Sequence, residues 1–188
     1  MSLLITEGWF SNVSVHDNKV YAAGQNNNEI KTFTHRGGRL NLLKRIRRGK
    51  PPPKFAEGAS IQLPFSKKSK HISFRVTKNK LSVCSNFHHE IHTAALDASP
   101  IQFKVTYTKP SAKQPLSSEL YICSEFNGNL LVADRRQNSF FTLGDDGVAQ
   151  TELQPLCSQP NCAVVDSGFL FAMSNSKQQN SLKKYRLP

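Results

Sequence analysis

The side chains with the most to do in this sequence are cations. Between Arg36 and Lys70 stand Arg36, Arg39, Lys44, Arg45, Arg47, Arg48, Lys50, Lys54, Lys67, Lys68 and Lys70, against one carboxylate, Glu57. That stretch carries +10 of the chain's formal +12, so the other 153 residues are near neutral and one region is a polycation. Such a cluster neutralises phosphates or meets an acidic protein surface, and its blandest use is to keep a chain soluble. Within it, RIRRGKPPPK (residues 45–54) has no aromatic until Phe55, which favours charge over base stacking. Arg135 and Arg136, in a polar stretch between two apolar runs, are candidates for a further contact with the same partner.

Other reactive residue types are sparser. HHEIH, from His88 to His92, offers imidazoles of the kind that suit zinc or copper. In an extended strand, however, His88 and His92 stand about 13 Å apart, too far for one ion, and HExxH is not matched. Cys84, Cys123, Cys157 and Cys162 form no CxxC pair and read as free thiols, mostly buried. Asp134 closes an apolar run, where its carboxylate is expected to cap backbone amides of the following loop. No nucleophile elbow, phosphate-binding glycine loop or dinucleotide fingerprint occurs, and no set of carboxylates recurs at one repeat position. The expectation is therefore a non-enzymatic protein with no metal and no cofactor.

The elements that must position these residues are short and repetitive. Residues 17–38, 78–99 and 127–147 align without gaps, each opening on a turn signal (Asp17-Asn18, Asn79, Asn127-Gly128-Asn129). Apolar runs then begin at Val20, Leu81 and Leu130, with a second run ten residues later at Ile30, Ile91 and Phe140. A looser copy runs from Asp166 to Pro188, with runs at Leu170 and Leu182. Short alternating runs punctuated by Asn, Asp and Gly are hairpins. Further runs flank them: Val13 to His16, Ile72 to Val76, Leu120 to Cys123 and Ala163 to Val165 before, then Leu40 to Ile46, Ile101 to Tyr107 and Val148 to Leu153 after. That makes three or four strands per unit, recurring near 40 residues, which is the signature of a propeller blade.

The fold class expected is all-β, a single domain over 1–188 shaped as a β-propeller of about four blades. Residues 47–70 are expected as a basic, Pro-rich inserted loop whose part from Gly49 to Lys70 is mobile and dispensable for folding, with Ile61, Leu63 and Phe65 able to add an edge strand. Residues 109–117 are expected as a second inserted loop. The blades either belong to a larger propeller, assemble from two chains, or close when Ser2 to Thr6 supplies the outer strand missing from the last unit. Exposed strand edges give closure its physical motive.

GNLLVADRRQNSFFTLGDDG, residues 128–147, resembles the NHL repeat of β-propellers through Gly128, Asn129, Val132, Ala133, Asp134, Phe141 and Gly147. The other units carry Gly24, Ser85 and Ser174 where this one has Asp134. The resemblance implies a six-bladed relative and a binding module, a scaffold for proteins or a reader of nucleic acid with RNA ahead of DNA. It also implies a distant alternative, a metal-dependent hydrolase or lyase. No stretch approaches the roughly 18 apolar residues of a membrane-spanning helix, and MSLLITEGWF is a poor signal peptide. A cytoplasmic or nuclear setting, with nucleic acid or an acidic protein as partner and no membrane, is the resulting expectation.

Overall fold

A computed structural model describes residues 10–24, 28–35, 55–65, 72–85, 89–109, 120–153, 158–175 and 180–186. Among them are fifteen strands and no helix, grouped in four antiparallel sheets. The first sheet is β1 (Phe10–His16), β2 (Lys19–Gly24), β3 (Glu29–His35) and β4 (Phe55–Gln62). The second is β5 (Ile72–Thr77), β6 (Lys80–Ser85), β7 (Glu90–Ala95) and β8 (Lys104–Thr108). The third is β9 (Leu120–Phe126), β10 (Asn129–Asp134), β11 (Ser139–Leu143) and β12 (Ala149–Leu153). The fourth is β13 (Pro160–Asp166), β14 (Phe169–Asn175) and β15 (Asn180–Arg186).

Each sheet starts on the same two-residue hairpin, with register pairs His16↔Lys19, Thr77↔Lys80, Phe126↔Asn129 and Asp166↔Phe169. Both central residues have positive φ at Asp17-Asn18, Asn127-Gly128 and Ser167-Gly168, the type I′ geometry whose twist matches paired strands. Val20, Leu81, Leu130 and Leu170 therefore all fall at the second position of a second strand. Three residues on, Ala23, Cys84, Ala133 and Met173 pair with Ile30, Ile91, Phe140 and Leu182. The two extra residues of the last unit are absorbed in the β14–β15 connection, and the register is kept.

Because side chains alternate, each sheet has two usable faces, and the chain employs them in one sense. Tyr21, Ala23 and Ile30 of the first sheet pack on Phe74, Val76, Leu81 and Val83 of the second. Cys84 and Ile91 of the second pack on Ile122, Val132 and Phe141 of the third. Leu131, Ala133 and Phe140 of the third pack on Ala163, Leu170 and Ala172 of the fourth. The first strands β1, β5, β9 and β13 follow one another at the convergent edge. Among the described residues, no strand of the first sheet packs extensively against the fourth. The proposed closing strand Ser2 to Thr6 lies outside the described residues.

The edge strand expected at Ile61 within residues 47–70 is present, and it starts earlier than expected. The fourth strand of the first sheet is Phe55–Gln62, inside the segment read as a dispensable loop, and the run Leu40 to Ile46 lies outside the described residues. Pairing selects it: Ile30 stands opposite Ile61, and His35 opposite Phe55. Ile61, Leu63 and Phe65 are then buried in the largest core cluster. Asn28 fastens this stretch, its backbone carbonyl accepting from Leu63 N at 2.9 Å and its amide donating to the carbonyls of Leu63 and Phe65.

Candidate nucleic-acid interface

Eleven of the thirteen cations assigned to the interface, Arg36 through Lys54 and Lys67, Lys68 and Lys70, lie outside the described residues. Their points of attachment are fixed all the same. The stretch 36–54 leaves the first sheet at His35 and rejoins it at Phe55, and these two residues are register partners. Its root is thus at the end of the sheet that carries the Asp17-Asn18 turn. Phe65 and Ile72, which flank Lys67, Lys68 and Lys70 in the sequence, stand at the other end.

Arg135 and Arg136 also stand at that other end, in the loop joining β10 to β11. The arrangement of the sheets makes the two ends comparable: Ser14 Oγ accepts from Val76 N at 3.3 Å near one end, and Ser73 Oγ accepts from Ile122 N at 2.9 Å near the other. The sequence grouped Arg135 and Arg136 with the polycation, but the fold roots them at the opposite end from the stretch 36–54. Arg135 is half-buried and donates to Gln159 Oε1 at 3.1 Å, while Arg136 is exposed. Asp134 shapes their loop. Its Oδ1 accepts from the amides of Arg136 and Gln137, both at 3.1 Å, as expected for a capping carboxylate.

Sequence reasoning missed the second partner of Asp134. Lys109, placed by sequence in a loop beyond the second sheet, forms an ion pair with Asp134 Oδ2 that is shielded from solvent. Its backbone N–H is held by His89 O at 2.7 Å, which aims the ammonium across the sheet junction. No local signal in the sequence links residues 25 positions apart.

A cleft of about 610 Å³ opens at the end that roots the stretch 36–54, between the second and third sheets, and was also missed. Lys78, Lys80 and Lys104 line it, facing Asp97, Glu125 and Asp145. Lys80 Nζ donates to Asp145 Oδ1 at 2.5 Å and holds that carboxyl below its usual range, helped by Lys78 and Lys104. Among the described residues, three cations and three carboxylates line the cleft, and their formal charges cancel.

The remaining reactive groups among the described residues make local contacts. Glu90 Oε2 lies 3.1 Å from His92 Nε2, and the His92 ring meets Phe65 edge-on at 5.1 Å. Among the described residues no three His, Cys, Asp or Glu side chains are grouped to hold a metal; His88 is outside them. Cys84, Cys123 and Cys162 are free; Cys84 is buried, half-burial leaves Cys123 partly covered, and Cys162 is exposed. Burial pushes the Cys84 thiol up to about 12, and it donates to Leu120 O at 3.3 Å. Cys157 is outside the described residues.

No protein-family model and no curated protein matches the chain. Solved structures do. A streptogramin B lyase is 16% identical with a TM-score of 0.58, over 99% of this chain and 57% of its own. The glutaminyl cyclase of Myxococcus xanthus is 13% identical with a TM-score of 0.53, over 88% of this chain and 61% of its own. The computationally designed Ika4 protein is 7% identical with a TM-score of 0.54, over 100% and 96%. The likeness is one of fold. The lyase and the cyclase are β-propeller-like, and this chain spans about three fifths of their length.

Proposed function

We propose that the protein is a non-enzymatic β-propeller module of about four blades that binds nucleic acid, RNA ahead of DNA, through phosphate contacts of its basic segment. The observation that carries this reading is the concentration of +10 within residues 36–70 of a chain whose remainder is near neutral. Support also comes from the paired roots His35 and Phe55, which tether the most basic stretch to a sheet. The finer assignment to an NHL-type repeat belongs to the same reading; it rests on residues 128–147, where Asp134 caps its loop. At 13–16% identity the names of the lyase and cyclase carry no activity across.

The test is titration with RNA, DNA and an inert polyanion at two salt concentrations. Affinity for RNA should fall with salt at a slope of about −0.7 per phosphate contact. Reversing Arg45, Arg47 and Arg48 to Glu should abolish binding and leave the fold intact. Binding that survives this change, or is absent at physiological salt, moves the reading to a protein scaffold whose basic segment meets an acidic partner.

A further inference from the structure

The junction between the second and third sheets differs from its two counterparts at one repeat position. At the third place of the second strand, the first sheet has Tyr21 and the third has Leu131, both buried in the packing against the next sheet. The second sheet has Ser82 there, on the same face of β6 as Lys80 and Cys84. Ser82 is wholly buried, and its hydroxyl has no hydrogen-bond partner among the described residues. Its register partner Thr93 lines the cleft of about 610 Å³ between the two sheets. The junction thus lacks a large side chain where the other two have one, and it stands open beside that place.

The walls of the cleft are fixed. Gly147 of the third sheet approaches β8 so closely that a Cβ would lie 2.0 Å from the Thr106 carbonyl oxygen. From wall to wall, Lys80 Nζ donates to Asp145 Oδ1 at 2.5 Å. A volume of about 610 Å³ falls within the roughly 300–1,000 Å³ of small-ligand sites, and a site formed in advance spares a ligand part of the cost of ordering it.

The polar lining is divided between both signs of charge. Lys80 is paired with Asp145, and Lys78 and Lys104 stand close enough to that carboxyl to help hold it below its usual range. The side chains of Lys78, Lys104, Asp97 and Glu125 are exposed and make no hydrogen bond or ion pair with a described residue. The cleft therefore offers unpaired cations and unpaired carboxylates together. A polyanion is repelled by the carboxylates, whereas a ligand bearing both charges satisfies both sets. Phe103, half-buried against the core, adds apolar lining.

We propose that this cleft binds a short zwitterionic peptide, with its carboxylate on Lys78 or Lys104, its ammonium on Asp97 or Glu125, and an apolar side chain against Phe103. The site is separate from the basic segment and does not depend on nucleic-acid binding.

Equilibrium dialysis of the whole chain against glycyl-phenylalanine tests it, beside two blocked forms of the same dipeptide. The N-acetylated form keeps only the carboxylate, and the amide keeps only the ammonium. The free dipeptide should bind, and each blocked form should bind at least about tenfold more weakly for want of one charge-assisted contact. Lys78→Gln with Lys104→Gln should reduce the free dipeptide to the affinity of its amide. Asp97→Asn with Glu125→Gln should reduce it to that of the N-acetylated form. All four side chains are exposed, so both double variants should keep the wild-type melting temperature. No binding of the free dipeptide at about 1 mM overturns the proposal. Equal binding of the N-acetylated form also overturns it, since the lysines then act as a plain anion site. So does an affinity that neither double variant changes, which puts the dipeptide elsewhere on the molecule.

Discussion

Asp134 is one side chain with two tasks, capping a loop and neutralising Lys109, and both are carried out away from water. Removing one member of a buried pair strands the other, which is costlier than removing both. Asp134→Ala should lower stability by about 3 kcal/mol in urea denaturation, and Asp134→Ala combined with Lys109→Met by clearly less than the sum of the two single changes. Additive losses would show that the pair is not coupled. The Lys80–Asp145 pair is mostly solvated and should contribute under about 1 kcal/mol. Cys84 makes a prediction about pH. Its folded thiol ionises near 12 against an ordinary 9.0, so from pH 9 upward the unfolded chain sheds a proton that the folded one keeps. Stability present below pH 9 is lost as pH climbs toward 12, and burial of Cys123 acts in the same direction. Cys84→Ala should flatten the alkaline decline of the denaturation midpoint relative to wild type.

β4 shows how an element can be hidden in a sequence whose composition argues for a loop. FAEGASIQ has weak alternation and a central Gly58. A Cβ there would stand 2.5 Å from Thr32 Oγ1, so the glycine is what allows the strand to approach β3. Replacing residues 55–65 with a Gly-Ser linker should abolish cooperative unfolding, and Phe65→Ala alone should cost about 3–5 kcal/mol. An unchanged melting temperature for the linker variant would contradict the core placement of Ile61, Leu63 and Phe65. Turns separate two kinds of glycine. Gly128 and Gly147 both have φ of +80°, but a Cβ at Gly128 meets nothing within 4 Å, whereas one at Gly147 would lie 2.0 Å from Thr106 O. Gly128→Ala should therefore cost only the backbone strain of roughly 1–2 kcal/mol, and Gly147→Ala markedly more, since a sheet junction must also open. Equal losses in thermal unfolding would refute the distinction.

Each sheet touches its sequence neighbours, so stability is shared as in a linear array, with the middle sheets supported on both faces. Native-state hydrogen exchange should find the amides of β6 and β10 the slowest and those of β14–β15 the fastest of the paired strands. Uniform protection across the four sheets would mean that the fourth sheet's outer face is covered in the monomer.

The sequence alone determined the hairpin strands, their turns and their common register, because these depend on neighbours a few residues apart: a turn residue tolerating positive φ, then alternating side chains. It also determined where the charge is. Tertiary structure decided what depends on distant partners. Phe55–Gln62 became a strand because Ile30 and Ile61 meet across 31 positions, Lys109 found Asp134 across a sheet junction, and Lys80 found Asp145 across a cleft. It likewise rooted Arg135 and Arg136 at the opposite end from residues 36–54, a separation invisible in a list of cations. Local periodicity fixes which face a side chain takes. Only the stacking of sheets fixes what that face meets.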